Sequence, residues 1–444
     1  MNLLKNNFPG LIVYPATEDD LRSAVAFAFK YRIRVVARCS GHDFNSRSSG
    51  YGVMLIKTKN LSAVAYDPAK ETVTFGAGAN HGIVYAALAP LGRVYIGGQA
   101  KTVCPAGCLS GGCHGLLTRQ HGLGADNVLS IRLILYNGTA VTLSPTSHSS
   151  LFYAYLGAGA NTFGLAASFT ARTHPAPEVL LQFKAQLNMF APNGSGLPPT
   201  ASALSTFFMN VSFMQALPIN VAGNIRIEAG LLNVDMFYLG AAKDAAASVA
   251  TIAPIFQSPF VVPGSTKNFT WPTLLDLALN NYPPATSIWA RKFITNVLVP
   301  PKQEALTEAI DTITSRKPTM WLWFVYGGHV RNGSAPYVSQ GMRAAMYEAE
   351  ITTSWQDPNE DEDRMASVHS YLDVMYKVSP YTYINEYTSW GGKYNPMPDW
   401  KTRLFGDKYD ELLKIKKTYD PCNAFVAQFG IGSDLPQMAC KVRK

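Results

Sequence analysis

Between Gly97 and Gly124 the chain is so dense in glycine that its backbone is built to lie close against something. At the centre stands Ser110-Gly111-Gly112-Cys113-His114-Gly115, followed by Arg119, Gly122, Asp126 and Asn127. An earlier glycine-flanked loop, Arg38-Cys39-Ser40-Gly41-His42-Asp43-Phe44, leaves the apolar run Val35-Val36-Ala37. Glycine in such loops lets backbone N–H groups converge on an anion, which suits a pyrophosphate. Two loops of this kind facing each other would bind a long, doubly charged cofactor along its length. Other nucleotide signatures fit less well. Gly76-Ala77-Gly78-Ala79-Asn80-His81 begins like a dinucleotide fingerprint, but His81 occupies the third glycine's place.

Around these loops the periodicity alternates between strand and helix. Leu11 to Tyr14 reads as a strand, and Thr17 can cap a helix with Glu18-Asp19-Asp20 in its first turn and Leu21, Ala24, Val25 and Ala28 on one face. Strands are expected at Val53 to Lys57, Thr72 to Phe75, Ile131 to Leu135 and Leu165 to Thr173, with a helix near Ile83 to Leu88. From Val179 the texture changes to longer alternating strands, such as Ile225 to Tyr238 and Met320 to Tyr326, with helices near Ala241 to Ala253 and Gln303 to Ile313. The acidic run Glu360 to Asp363 reads as a solvated loop before a helix through Val368 and Met375, and a last amphipathic helix spans Tyr409 to Lys417.

The 444 residues are too many for one ordinary core, and 47% hydrophobic against 15% charged describes a packed chain of two or three lobes. The net charge of +8 is scattered among acids, with no basic run, so nucleic acid is not expected as a partner. No apolar stretch reaches the ~18 residues of a spanning helix, so no membrane is expected. No leader is visible, yet six Asn-x-Ser/Thr sequons, at Asn60, Asn137, Asn193, Asn210, Asn268 and Asn332, favour a secreted glycoprotein whose leader precedes this sequence. Six cysteines permit disulfides, most simply Cys422 with Cys440. Cys104, Cys108 and Cys113 lack the paired spacing of a zinc or iron–sulfur site, so no metal is expected.

Five blocks in order resemble one family over nearly the whole chain: Val36 to Phe44; Thr102 to Val128; Gly157-Ala158-Gly159-Ala160-Asn161-Thr162-Phe163-Gly164; Tyr383-Ile384-Asn385-Glu386; and Phe405 to Tyr409 through Asp420-Pro421-Cys422-Asn423. The chain is similar to the berberine-bridge-enzyme-like branch of the vanillyl-alcohol-oxidase flavoproteins, in a form like the fungal secreted oxidoreductases. The resemblance implies an α+β fold: a two-subdomain FAD-binding lobe of the PCMH type over 1–178, a substrate domain over 179–395 with an antiparallel sheet covered by helices, and a segment over 396–444 returning to the first lobe.

It also implies FAD bonded through its 8α-methyl to His42. Arg38, Cys39, Ser40, Gly41, Asp43 and Phe44 would wrap the pyrophosphate, and Ser110, Gly111, Gly112 and His114 would line the opposite side. Asp126, Asn127, Gly159, Asn161 and Phe163 would complete the bed. Relatives often add a second link through cysteine in Cys-Pro-Thr-Val-Gly; here Thr102-Val103 puts Ala100 at that position and Cys104 on the glycine's place, so a single link is expected. Tyr383 and Asn385 match a Tyr-x-Asn element at the flavin face. Tyr326 and His329 end a strand aimed at the same region, and Trp321, Trp323 and Trp355 are candidate sugar-stacking walls. The implied reaction takes hydride from a CH–OH group of a sugar, alcohol or secondary metabolite and passes it on to oxygen or another acceptor, in a monomer. The rival is an inactive secreted glycoprotein of the same fold that binds carbohydrate.

Overall fold

The computed structural model describes residues 7–43, 45–189, 203–228, 230–281, 291–302, 319–387 and 399–437. Helices and three sheets make an α+β architecture. Strands β1 (Leu11–Val13), β2 (Val35–Arg38) and β3 (Met54–Lys57) form a small parallel sheet in the order β1-β3-β2. The helix Glu18–Lys30 crosses over from β1 to β2, which lie parallel on either side of β3. Its start is fixed by a capping box in which Thr17 accepts from Asp20 N and the Asp20 carboxylate accepts from Thr17 N.

The second sheet is antiparallel and carries β4 (Val64–Asp67), β5 (Thr72–Gly76), β6 (Arg93–Tyr95), β7 (Val128–Ile134), β8 (Ala140–Leu143) and β9 (Leu165–Pro175), in the order β4-β5-β9-β7-β8 with β6 also on β9. Here the glycines of Gly76-Ala77-Gly78 serve close packing. A Cβ on either would meet the Leu61 or Thr58 carbonyl oxygen at about 2 Å, so only glycine fits.

The third sheet has seven strands: β10 (Val179–Asn188), β11 (Val221–Glu228), β12 (Leu231–Gly240), β13 (Lys267–Trp271), β14 (Arg291–Val299), β15 (Thr319–Phe324) and β16 (Tyr347–Trp355), in the order β13-β10-β12-β11-β15-β16-β14. Its two faces differ because strand side chains alternate. Ala185, Val234, Ile225, Leu322, Ala349 and Val297 turn one way, into a core completed by Met365, Val368, Leu372 and Met375 of the helix Asp361–Val378. On the opposite face the register aligns two polar rows across the strands. One runs Lys184, Asp235, Asn224, Trp323, Glu348; the other runs Gln186, Asn233, Arg226, Trp321, Glu350, Asn296.

Several expectations need correction. The stretch Ile225 to Tyr238 is a hairpin of β11 and β12, turned at Gly230 with φ +80°. The acidic run is no loop: Asp361, Glu362 and Asp363 form the first turn of Asp361–Val378, where carboxylates meet the positive end of the helix dipole. Trp355 is a buried residue whose indole donates to Asp361, so it walls no open site. The helix near Gln303 to Ile313 lies outside the described residues, as does Cys440.

The helix Tyr409–Tyr419 ties the C-terminal segment to the first lobe. Its buried Lys416 donates to the Thr162 and Phe425 carbonyls and pairs with Asp420 at 2.7 Å. A buried ammonium survives only with such a full set of partners.

Candidate active site

The loop after β2 is stapled to the glycine-dense stretch itself by a Cys39–Cys104 disulfide, which closes 65 residues of chain. Closing a loop that long removes disorder from the unfolded chain worth about 4 kcal/mol. The thiol of Cys104 is thereby spent, so no second flavin link can form there while the bond is intact. Cys108 and Cys113 form a second disulfide that pinches the turn carrying Ser110-Gly111-Gly112. His81 lies beside this pair, but bonded sulfurs offer no thiolate to a metal.

Gly41 takes φ +81°, and His42 emerges exposed beside it with Nε2 2.8 Å from Thr102 Oγ1. Arg47 bonds Asp43 and also donates to the carbonyls of Ile384 and Asn385 at 2.6 and 3.2 Å. The first loop is thus locked onto the Tyr-x-Asn segment. The second glycine loop meets that segment too. A Cβ on Gly111 would lie 2.5 Å from Asn385 Oδ1, and the Asn385 amide donates to Cys108 O at 2.9 Å.

Tyr383 is buried, and Asn296 on β14 holds its backbone at both N and O. Its hydroxyl accepts from Cys113 N at 3.2 Å and from Asn385 Nδ2 at 2.7 Å. Both lone pairs are used, so the phenol's own proton points onward as a donor. Burial, with Glu386 and Glu348 nearby, pushes Tyr383 above the usual phenol range. Tyr326 is raised well above it for the same reasons, burial first and Glu348 next, and donates to Glu348 Oε2 at 2.7 Å. Neither tyrosine is a base at ordinary pH.

The proton-accepting groups are carboxylates gathered around His114, and two of them, Glu348 and Glu350, are ones the sequence did not point to. His114 Nε2 lies 3.0 Å from Glu348 and 3.4 Å from Glu386. Burial alone would push His114 down, but the charge and hydrogen bond of Glu348, with Glu386 behind them, outweigh it and bring it up to about 10. Burial and then the Glu348 charge raise Glu386 to about 8. Glu350, receiving the Trp323 indole at 2.8 Å, is raised to about 8 by burial and then by Glu386. One imidazolium therefore sits among three carboxyl groups, two of which hold protons near neutrality. His114, Glu348 and Glu386 each present a donor atom within a 4.8 Å span, a set that a divalent cation could use only by displacing that shared proton.

Other expected residues serve elsewhere. His329 is exposed on the turn Gly328–Asn332 near His121, and the structure does not bring it to the cluster. The carboxylate of Asp126 accepts from Arg343, Leu123 N and Ala335 N, and Asn127 is spent on the His121 and Leu123 carbonyls and on His174. Asn161, at φ +61°, bonds both backbone groups of Ala37 and so positions the base of the His42 loop. Phe163 is core, Gly159 packs on Ile384, and Ser110 donates to Gly107 O. Phe44 lies outside the described residues.

Whether FAD suits these residues is tested by the polar atoms they leave over. Arg38 Nε, at the root of the first loop, is buried without a hydrogen-bond partner among the described residues. So are His114 Nδ1, Glu348 Oε1 and Glu386 Oε2 at the cluster. A cationic donor at one end and a proton-holding cluster at the other, with glycine backbone between, match a pyrophosphate-bearing redox cofactor.

Comparison with known proteins agrees. Residues 9–144 match the FAD binding domain family and residues 371–432 the family described as berberine and berberine like. The VAO-type flavoprotein oxidase VAO615 of Thermothelomyces thermophilus is 26% identical over 97% of this chain and 77% of its own. BBE-like 1 of Physcomitrella patens superposes with a TM-score of 0.81 at 23% identity, over 97% of this chain and 93% of that one. The glucooligosaccharide oxidase of Acremonium strictum, described as carrying 6-S-cysteinyl, 8α-N1-histidyl FAD, superposes at 0.78 with 18% identity, covering 97% and 93%. The likeness to these solved structures shows the fold, while the family matches and sequence relatives bear on the cofactor. The matches support a berberine bridge enzyme-like flavoprotein of the VAO type, and the chain is an FAD-dependent oxidoreductase.

Proposed function

We propose that this protein oxidises a CH–OH group of a sugar, alcohol or secondary metabolite, with FAD held through a single bond to His42. Bound there, FAD supplies the hydride acceptor. The observation that carries the reading is the buried cluster of His114, Glu348, Glu350 and Glu386 where the polar sheet face meets Tyr383 and Asn385. Removing hydride from carbon requires removing a proton from its oxygen, and carboxyl groups held near about 8 are placed to take it. Glu350 and Glu386 act as one coupled pair in this role. Glu348 keeps His114 protonated, and the imidazolium offsets the negative charge that develops on the substrate oxygen. Tyr383 directs its hydroxyl proton toward that oxygen, oriented by Asn385 and Cys113 N. Arg38, Ser40, Gly41 and Asp43 hold the phosphate end, and Gly111, Gly112 and Gly159 give the ring its close backbone bed. In this reading the protein is a secreted monomeric glycoprotein, and electrons leave to oxygen or another acceptor.

The test is anaerobic mixing of the holoprotein with a panel of oligosaccharides and alcohols while following the flavin band near ~450 nm. Bleaching by at least one CH–OH donor, restored by air or an artificial acceptor, is the expected result. A yellow protein that binds carbohydrate yet is bleached by none would support the inactive glycoprotein instead.

A further inference from the structure

On the polar face of the seven-stranded sheet, away from the catalytic cluster, lies a cavity of about 450 Å³ whose lining includes Lys184, Arg226, Lys267, Asp235 and Trp321. That volume is typical of a small-molecule site. Three cations face it against one carboxylate, and Asp235 is engaged by Lys184 at 3.8 Å and by the Gln182 amide at 2.8 Å. Arg226 also meets Glu228 at 3.3 Å on the rim.

The register adds a second, independent sign. Lys184 on β10 and Lys267 on β13 are direct cross-strand partners, so both ammonium groups project from the same face. Like charges placed opposite each other destabilise an antiparallel pair, and a bound anion converts that repulsion into attraction. Beside them Trp321 lies parallel to Trp323, with ring centroids 5.4 Å apart, and the Arg226 guanidinium stands 5.6 Å from the Trp321 ring centroid. A ring stacked on this indole has its substituents within reach of the cations.

We infer that this cavity binds the carboxylate-bearing ring of an elongated substrate whose other end is oxidised at the Glu350–Glu386 pair. The inference rests on the proposed oxidation for the position of the reacting carbon. Arg226 is two strands from Glu350 and Lys184 is four, which at a strand spacing of ~4.8 Å is about 10 and roughly 19 Å. The acid group therefore lies about that far from the oxidised carbon, the reach of a short oligosaccharide.

The experiment compares matched acid and neutral ligands on the holoprotein by calorimetry and tryptophan fluorescence at low salt. The pairs are cellotriose against its counterpart with glucuronic acid as the non-reducing ring, and benzyl alcohol against benzoate. Wild type should prefer the acid of each pair by about tenfold, a preference that falls as salt screens the lysines. In Lys184→Gln/Lys267→Gln the acid-to-neutral ratio should approach one. Unliganded Lys267→Gln should melt no lower than wild type, because the substitution relieves a repulsion; a merely structural lysine would give a lower melting temperature. Equal binding of acid and neutral ligands, absence of acid binding at millimolar concentration, or an undiminished ratio in the double variant each overturns the inference. A wild type that shows no acid preference while its flavin is still bleached sinks this cavity alone, whereas a wild type that prefers the acids but is bleached by no donor sinks the oxidation reading alone.

Discussion

Glu350→Gln and Glu386→Gln should each lower kcat by about 10²–10⁴-fold while leaving the flavin attached, because each removes a partner of the pair that accepts the hydroxyl proton. The sign of the pH dependence follows from the same groups. Both carboxyl groups are raised to about 8, so at pH 6 they hold protons and cannot accept another. Activity in wild type should therefore climb as pH rises through about 8. It should fall again above about 10, where His114 loses the proton that Glu348 holds on it. The apparent values belong to the coupled cluster rather than to single residues. In either Gln variant the lower limb should disappear or move. Glu348→Gln removes the attraction that holds His114 up, so its descending limb should shift to lower pH. A full pH profile of kcat/KM for the four proteins checks this, and an unchanged lower limb in both Glu350→Gln and Glu386→Gln would place the base elsewhere.

His42→Ala should turn a flavin that survives acid precipitation into one that leaves with the supernatant. The physical case is positional. Gly41 at φ +81° swings the loop outward, the Cys39–Cys104 disulfide fixes its base, and Thr102 Oγ1 holds the imidazole at 2.8 Å. A neutral imidazole nitrogen so placed is a nucleophile, and alanine removes it without touching the loop's anchors at Arg47 and Asn161. The variant should still fold and bind flavin reversibly, with nearly all colour extractable. Colour retained by the denatured variant would mean that another residue carries the bond. Cys104 becomes available only if its disulfide is broken, which leaves Cys39 a free thiol, so alkylation of Cys39 in the unreduced, denatured variant separates a bond at Cys104 from one elsewhere.

Much of the fold was legible because local signals agreed with the final structure. Thr17 with an acidic first turn marked the helix start, and the change of texture at Val179 is where the seven-stranded sheet begins. The failures have physical reasons as well. Gly230, inside an alternating run, is a turn signal that was read through, so a hairpin looked like one strand. An acidic run is equally consistent with a solvated loop and with a helix start, and only the packing of Met365 and Val368 behind it decides. Disulfide partners are not encoded in cysteine spacing, so neither Cys39–Cys104 nor Cys108–Cys113 was read. The chemistry was half visible. The Tyr383–Glu386 block and His114 were in view, but Glu348 and Glu350 were not. The alternation Tyr347-Glu348-Ala349-Glu350-Ile351 does put two acids on one face of a strand. That they face His114 and not solvent depends on the register of β16 with β15, which is a tertiary fact.

The central claim is that the isoalloxazine edge is anchored at the exposed imidazole between the two stapled loops. Proteolysis of the acid-precipitated wild-type protein, followed by isolation and sequencing of the flavin-fluorescent peptide, tests it directly. The account predicts one such peptide, with the flavin mass on His42. Flavin recovered on a peptide lacking that histidine, or wholly free in the supernatant of properly loaded protein, would contradict it.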